Sequence, residues 1–141
     1  MGNSVLSRQG TDRSGASNVA ALGKGLRGRL VLPHDSDYDR ARTVWNGMID
    51  KRPAGIAYCA DATDVVRVLE FVRGQALPLS VRSGGHNIAG SSVCDDGLVI
   101  DLSRMKAIDV DREGSTVRAA AGLTLGEFDA ATQAHGLATT M

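Results

Sequence analysis

The sequence has few cysteines, few aromatic residues and no excess of charge of either sign. Cys59 and Cys94 are far apart, so neither a disulfide framework nor a zinc site is indicated. We expect free, mostly buried thiols in a reducing, cytoplasmic compartment. Aromatic residues make up 4% of the chain and the formal net charge is zero, which argues against a nucleic-acid interface. No apolar run approaches the roughly 18 residues that a membrane span needs.

The length of 141 residues allows one domain with a real hydrophobic core. Residues 1–28 are rich in Gly, Ser, Arg and Asn without sustained periodicity, and we predict a disordered tail there. Residues 29–141 are predicted to fold. His34 and His135 show no metal-ligand spacing with each other or with the cysteines, so no metal site is predicted.

The first half of the folded part predicts a helix, a strand, a second helix and a second strand. The first helix is expected to follow Asp35 or Asp37, to place Trp45 in the core and to end before Pro53. A strand over residues 55–59 leads to a second helix that is capped by Asp61 or Thr63. The residues expected to face the core from this helix are Val65, Val66, Val68, Leu69 and Val72, and Gly74 is expected to end it. A strand over residues 77–82 follows, and the short joins predict a βαβ unit with parallel strands.

The second half predicts a strand over residues 98–102 and a hairpin built from residues 107–110 and 116–120. Thr124 and Glu127 have the spacing of a capping box, so a helix is expected to begin there, to bury Leu125, Phe128 and Ala131, and to end at Gly136. Residues 137–141 look like the opening of another segment. We therefore expect the chain to be a fragment.

A glycine-rich loop follows the predicted strand over residues 77–82. Gly84 and Gly85 allow backbone conformations that other residues avoid, and consecutive backbone N–H groups suit phosphate oxygens. Ligands lie at the carboxyl ends of strands in open parallel sheets, so the position of this loop predicts a ligand site. Arg82 could contact that ligand or pair with a neighbouring acid. His86 is the one loop side chain with reactive chemistry, and the structural alternative is a histidine hydrogen-bonded to backbone.

The segment Arg82-Ser83-Gly84-Gly85-His86-Asn87-Ile88-Ala89-Gly90 resembles the pyrophosphate loop of FAD-linked oxidases of the berberine bridge enzyme type. These oxidases belong to the vanillyl-alcohol oxidase/PCMH flavoprotein superfamily. Residues 45–53, residues 99–105 and residues 121–127 are also similar to that family, in the same order. The resemblance implies an α+β fold, a PCMH-type FAD-binding domain with a small βαβ-containing subdomain followed by the start of a second mixed subdomain. Residues 29–141 would form its N-terminal part.

The resemblance also implies FAD as the cofactor. The residues that would contact FAD are Arg82, Ser83, Gly84, Gly85, His86, Asn87, Gly90, Ser91, Ser92 and Gly122. His86 would be joined covalently through an imidazole nitrogen to the 8α-methyl of the flavin, and a neutral imidazole is a competent nucleophile for this. The complete enzyme would transfer a hydride from a carbon of a small-molecule substrate to flavin N5 and pass electrons to O2 or another acceptor. No substrate-side catalytic residue is assigned.

Two other functions stay open. The chain could be a truncated, noncatalytic remnant or one half of a split protein that needs a partner chain, and we expect the isolated 141 residues to be inactive as an oxidase. It could instead be a hydrolase that uses His86 as a base near a phosphate. No Ser, Cys or Asp at a convincing spacing accompanies His86 to support the hydrolase.

Overall fold

The computed structural model describes residues 13–140 of the chain. Helices and strands alternate in its first part and give way to a hairpin and a helix. In chain order the elements are α1 (Arg13–Gly23), β1 (Arg29–Val31), α2 (Tyr38–Arg42), β2 (Gly55–Tyr58), α3 (Ala62–Gln75), β3 (Leu79–Arg82), β4 (Leu98–Asp101), β5 (Ile108–Asp111), β6 (Thr116–Ala119) and α4 (Leu125–Gln133). None of the helices described is long and apolar enough to cross a bilayer.

Four strands form one sheet in the order β1-β2-β4-β3. Strand β4 lies in the middle and is parallel to both β2 and β3, while β1 is antiparallel to β2 at one edge. The predicted βαβ unit is confirmed, since β2 and β3 both run parallel to β4. In the simplest βαβ unit the two strands are neighbours in the sheet, whereas here β4 lies between β2 and β3. The mixed helix and strand content matches the predicted α+β class.

Alternating side chains of the sheet build two separate hydrophobic clusters, as the two-residue period of a strand requires. Ala57, Leu98 and Ile100 pack on one face with α1 and α3. Ile56 and Val99 pack on the other face with α2 and with Val93. Because both faces of β4 are covered, all four of its residues are buried. The sheet is therefore a rigid support for the loops at its ends.

The part of the N-terminal region that the structure describes differs from the predicted disordered tail. Helix α1 buries Val19 against the sheet, and Leu22 and Leu26 pack around it. The connection to β1 is held by Asp64 of α3, whose buried carboxylate accepts the backbone N–H groups of Arg27 and Gly28 at 2.9 and 2.8 Å. The sequence showed no sustained helical period here, because Val19, Leu22 and Leu26 are three apolar residues spread over eight positions among Gly, Ser and Arg. Residues 1–12 of the predicted tail lie outside the described residues.

The predicted first helix is wrong in its length and in the placement of Trp45. Helix α2 stops at Arg42, and Trp45 and Met48 are 75% and 91% exposed. The cause lies across the sheet, because the guanidinium of Arg82 takes the carbonyl oxygens of Ala41 and Thr43. These carbonyls would otherwise accept the next turn of the helix. The chain then continues as an extended segment that lies along the glycine loop.

Helix α3 begins where predicted and ends one residue after the predicted stop. Asp61 is its N-cap and accepts from the N–H groups of Thr63 and Asp64. The helix passes Gly74 and ends at Gln75, and Ala76 takes the left-handed conformation instead of a glycine. Val68 and Val72 are buried, but Val66 and Leu69 are exposed. Only a narrow stripe of α3 therefore meets the sheet, and a prediction from spacing alone overestimated its width.

The second part of the chain follows the prediction closely. Strands β5 and β6 form an antiparallel two-stranded sheet, and the capping box of Thr124 and Glu127 is present at the start of α4. Helix α4 ends at Gln133, three residues before the predicted stop at Gly136. Its predicted apolar face is only partly correct, because Phe128 and Ala131 are half-buried and Leu125 is 49% exposed.

Candidate functional site

The glycine loop lies at the carboxyl edge of the three parallel strands. Tyr58 of β2 and Arg82 of β3 are both in register with Asp101 of β4, so the three strands end at the same level. The segments that follow these residues are therefore neighbours. This is the edge where ligands bind in open parallel sheets, and the predicted position of the loop is confirmed.

Arg82 is committed to holding this edge together. Its Nε donates to Asp101 Oδ2 at 2.7 Å, and both side chains are nearly buried, at 6% and 4% exposure. Its two terminal nitrogens donate to Ala41 O at 2.6 Å and Thr43 O at 3.2 Å. The alternative of a pair with a neighbouring acid is the one that the structure shows. Arg82 therefore joins β3 to β4 and to the end of α2. Because its guanidinium is already engaged, other groups would have to neutralise the negative charge of a ligand.

Residues 45–51, called the clasp below, run along one side of the loop and take its carbonyl oxygens. The backbone N–H of Trp45 donates to Gly85 O at 3.1 Å, and Asn46 Nδ2 donates to Ile88 O at 2.9 Å. The ammonium of Lys51 donates to Gly90 O at 3.0 Å and Val93 O at 3.1 Å. A peptide whose carbonyl points to the clasp must point its N–H away. The clasp therefore sets which groups the loop offers to a ligand.

The loop leaves a row of backbone donors free. Among residues 13–140 no acceptor is found for the backbone N–H groups of residues 84–89. Gly85 has a φ of 69°, a left-handed conformation that suits glycine, and a Cβ added to it would lie 3.8 Å from Val44 Cα. Successive N–H groups without partners form a concavity that binds anions. The arrangement fits a phosphate-bearing ligand.

His86 is exposed and its ring is stacked on Trp45. The centroids of the two rings are 5.0 Å apart and their planes meet at 27°. A Cβ added to Gly84 would lie 2.8 Å from His86 Cδ2, so the absence of a side chain at Gly84 leaves the space that the imidazole fills. The side chain of His86 is thus presented at the surface in a defined orientation. Among residues 13–140, no backbone group forms a hydrogen bond with its ring.

Two pockets adjoin at the loop and share Ser83, Gly84 and Ser103. The first, of about 370 Å³, is also lined by His86 and Gly122. The second, of about 410 Å³, reaches from Gly85 to Trp45 and Tyr58. Together they form a trough along the sheet edge, of the size and position expected for a cofactor site. Six of the predicted contacts thus line the trough: Arg82, Ser83, Gly84, Gly85, His86 and Gly122.

The remaining predicted contacts lie farther along the loop, outside both pockets. Asn87 Oδ1 accepts the N–H of Ser91 at 3.1 Å and closes the turn, while Gly90, with a φ of 72°, packs on Ile49 of the clasp. Ser91 is exposed. The hydroxyl of Ser92 is buried and has no partner among the described residues. These residues shape the loop, and Ser92 keeps a polar atom that nothing in the described chain satisfies.

Several trough residues were missed by reading the sequence. Ser103 and Lys106 follow β4 at its carboxyl end, the same signal that identified the glycine loop. Ser83 Oγ donates to Ala121 O, which joins the glycine loop to the segment before α4. The N–H of Gly122 donates to Met105 O at 3.0 Å and ties that segment to the chain after β4. Lys106 donates to Glu127 at 2.6 Å and, with the backbone N–H and hydroxyl of Thr124, lowers the pKa of that carboxyl to about 2. The ammonium stays partly exposed at the trough.

The two cysteines and the acidic residues show no competing site. Cys59 is fully buried, and burial together with nearby carboxylates raises the pKa of its thiol to about 11. Both cysteines are free thiols. Within the part of the chain that the structure describes, no group of three His, Cys, Asp or Glu side chains could hold a metal ion.

Known proteins are similar to this chain in sequence and in fold. Residues 53–141 match the family described as FAD binding domain. The chain is 35% identical over 122 residues to (R)-6-hydroxynicotine oxidase from Paenarthrobacter nicotinovorans, covering 86% of this chain and 27% of that protein. Its structure matches crystalline 6-hydroxy-D-nicotine oxidase from Arthrobacter nicotinovorans with a TM-score of 0.76 and 35% identity, over 79% of this chain and 24% of the other. It matches the BBE-like 1 protein of Physcomitrella patens with a TM-score of 0.79 at 22% identity, over 84% and 26% of the two chains.

The chain spans about a quarter of the length of the relatives it matches. Within that quarter lie the N–H groups of residues 84–89 and the trough beside them. Both the matching family and the geometry of the loop lead to the same assignment. The chain belongs to the FAD-binding-domain family of the FAD-linked oxidoreductases, in the vanillyl-alcohol oxidase/PCMH flavoprotein superfamily.

Proposed function

We propose that this chain binds FAD in the trough and carries it covalently on His86, as the cofactor-holding part of a berberine bridge enzyme-like oxidoreductase. The observation that carries the proposal is the exposed imidazole of His86 beside a row of free backbone N–H groups. Residues 29–141 would form the N-terminal part of the PCMH-type domain. When bound, FAD supplies the chemistry of accepting a hydride at N5 from a carbon of a small-molecule substrate, with O2 or another acceptor taking the electrons.

Backbone N–H groups and one lysine would bind the diphosphate of FAD. The N–H groups from Gly84 to Ala89 would hold the diphosphate, because the guanidinium of Arg82 is already engaged with Asp101. Lys106 would add positive charge at the far wall of the trough, since its ammonium is 40% exposed. Gly122 lets the chain on that wall lie against the backbone after β4, because a Cβ there would lie 2.0 Å from Leu102 O. The neutral donors and a partly compensated lysine together offset the two negative charges of a diphosphate.

The covalent link would form between an imidazole nitrogen of His86 and the 8α-carbon of FAD. The new N–C bond replaces one imidazole N–H bond and one methyl C–H bond, and two protons and two electrons pass to O2, which leaves as H2O2. The role of His86 is to present a neutral nitrogen with its lone pair free. The exposure of the ring and its lack of a hydrogen-bond partner among the described residues support this role.

Acid precipitation tests the proposal directly. The purified 141-residue chain is incubated with FAD in air, precipitated with acid and redissolved, and flavin absorbance is measured in pellet and supernatant. We expect yellow colour in the pellet of the wild-type chain and of His135→Ala, a control at another exposed histidine. His86→Ala should release all its flavin into the supernatant. Free flavin at every step for the wild-type chain would refute covalent attachment.

A second candidate, a module that holds FAD only with a partner chain, is favoured by one observation. A third pocket of about 450 Å³ is lined by apolar side chains of the second part, among them Leu123, Leu125 and Phe128. Leu125 is half exposed there, so this pocket presents apolar surface that a partner chain could cover. A wild-type chain that stays colourless with excess FAD would support this candidate over the first.

A further inference from the structure

Trp45 is an exposed aromatic residue in a segment that is otherwise well anchored. Val44, the residue before it, packs in the hydrophobic cluster of α2, and Ile49 packs against Gly90. The indole itself is 75% exposed, so burial does not account for its position. Its ring contact with His86, at 5.0 Å between centroids, is the interaction that orients it.

The backbone around Trp45 is tied to the loop on both sides of His86. The N–H of Trp45 donates to Gly85 O at 3.1 Å, and the side chain of Asn46 donates to Ile88 O at 2.9 Å. The indole and the imidazole are therefore carried by two segments that cannot shift independently. The pairing keeps the two rings within reach of each other, and they are stacked.

The imidazole is restrained by Gly84 as well as by the indole. A methyl group at Gly84 would come within 2.8 Å of His86 Cδ2, so the ring lies close against this glycine. A histidine at the surface would otherwise move among several rotamers. Restriction to one orientation removes that freedom before reaction and speeds a bond-forming step that needs a defined approach.

We propose that Trp45 is a positioning residue that holds the imidazole of His86 for attachment to the 8α-carbon of FAD. The inference rests on the proposed function, and the attachment is the balanced step written above, with O2 as oxidant. Trp45 does not exchange a proton or electron in that step. Its contribution to this step is to the rate of attachment, whereas the free N–H groups of the loop would hold the diphosphate.

The test separates binding from attachment in the full 141-residue chain. FAD is added to protein freed of cofactor, the Kd is measured by flavin fluorescence at early times, and acid-stable flavin is followed with time. At saturating FAD, Trp45→Ala should attach the bound cofactor roughly 3- to 10-fold more slowly than wild type, the range expected for loss of one ring stack. The Kd measured beside it separates this loss of rate from any loss of the contact that Trp45 makes in the trough. Trp45→Phe keeps an aromatic ring and should restore most of the rate.

Met48→Ala is the matched control, because Met48 is in the same clasp and is 91% exposed. It should attach FAD at the wild-type rate. Thermal unfolding of all variants without FAD should give the same midpoint, since an exposed side chain adds little to stability. A Trp45→Ala midpoint well below that of Met48→Ala would mean a structural role and overturn the inference.

The outcomes also separate this inference from the proposed function. A wild-type chain that takes up no acid-stable flavin overturns the function and the inference together. Equal attachment rates in wild type and Trp45→Ala overturn the inference alone. A fall in affinity with an unchanged attachment rate at saturating FAD would make Trp45 a direct FAD contact alone, which also contradicts the positioning role.

Discussion

The buried pair of Arg82 and Asp101 gives the sharpest prediction about stability. Arg82→Met keeps the length and apolar stem of the side chain but removes the charge and three donated hydrogen bonds. The carboxylate of Asp101 is then left 4% exposed, and within the described part of the chain its remaining donors are the N–H and hydroxyl of Ser103. The freed carbonyl oxygens of Ala41 and Thr43 no longer hold the end of α2.

The cost follows from the burial of the partner that remains. Breaking a buried ion pair by removing one member destabilises a protein by about 3–5 kcal/mol. Small domains have a total stability of about 5–15 kcal/mol, so this is a large fraction of it. With a urea m-value of roughly 1–3 kcal/mol/M, we expect the unfolding midpoint to fall by about 2 M. The emission of Trp45, the sole tryptophan, reports the transition.

A surface pair of similar geometry is the control. Arg29 and Asp37 are 2.7 Å apart, but their side chains are 47% and 20% exposed. Arg29→Met should therefore move the midpoint far less than Arg82→Met. The double variant Arg82→Met with Asp101→Asn removes both charges and should be more stable than the sum of the two single losses predicts. Equal shifts for Arg82→Met and Arg29→Met would refute the argument that burial sets the cost.

Three further predictions test other contacts. Gly122→Ala should destabilise the chain by about 1–3 kcal/mol, because its Cβ would lie 2.0 Å from a backbone oxygen, while Gly126→Ala, with nothing within 4 Å, should not; urea midpoints compare them. Thr124→Ala removes the capping box and should cost about 1 kcal/mol, seen as a fall of a few degrees in Tm. Burial alone would raise the pKa of Asp64, but the N–H groups of three backbone donors lower that pKa overall. The ionised carboxylate therefore stabilises the fold above about pH 4, and this stabilisation is lost as the pH falls through the lowered pKa of Asp64. Asp64→Asn should flatten the fall in urea midpoint between pH 5 and pH 2, and an unchanged pH profile would contradict this reasoning.

The sequence was sufficient for features that depend on neighbouring residues. The capping box of Thr124, the N-cap at Asp61 and the glycine loop after β3 are local signals, and all three are present in the structure. The position of the loop at a strand end also followed from order along the chain. Gly122 was linked to the loop through the family resemblance, and the structure places it beside Gly84 in the same pocket.

The sequence could not locate Trp45, because the contacts that decide its position are distant in the chain. Apolar spacing continued past Arg42, and the helix was predicted to continue with it. Arg82, about forty residues later, takes the carbonyls of Ala41 and Thr43 and stops the helix there. Trp45 consequently leaves the predicted core and stacks on His86.

By itself, then, the sequence determined the order of elements from α2 onward, the parallel strands and the glycine loop that ends one of them, because short-range hydrogen bonding and side-chain period dictate these. Only the tertiary structure decided how the loop is used. It placed the guanidinium of Arg82 on Asp101, turned the loop carbonyls toward the clasp and left the N–H groups of residues 84–89 free. Pairing between segments some forty residues apart has no periodic signature, so no inspection of local pattern could have shown it.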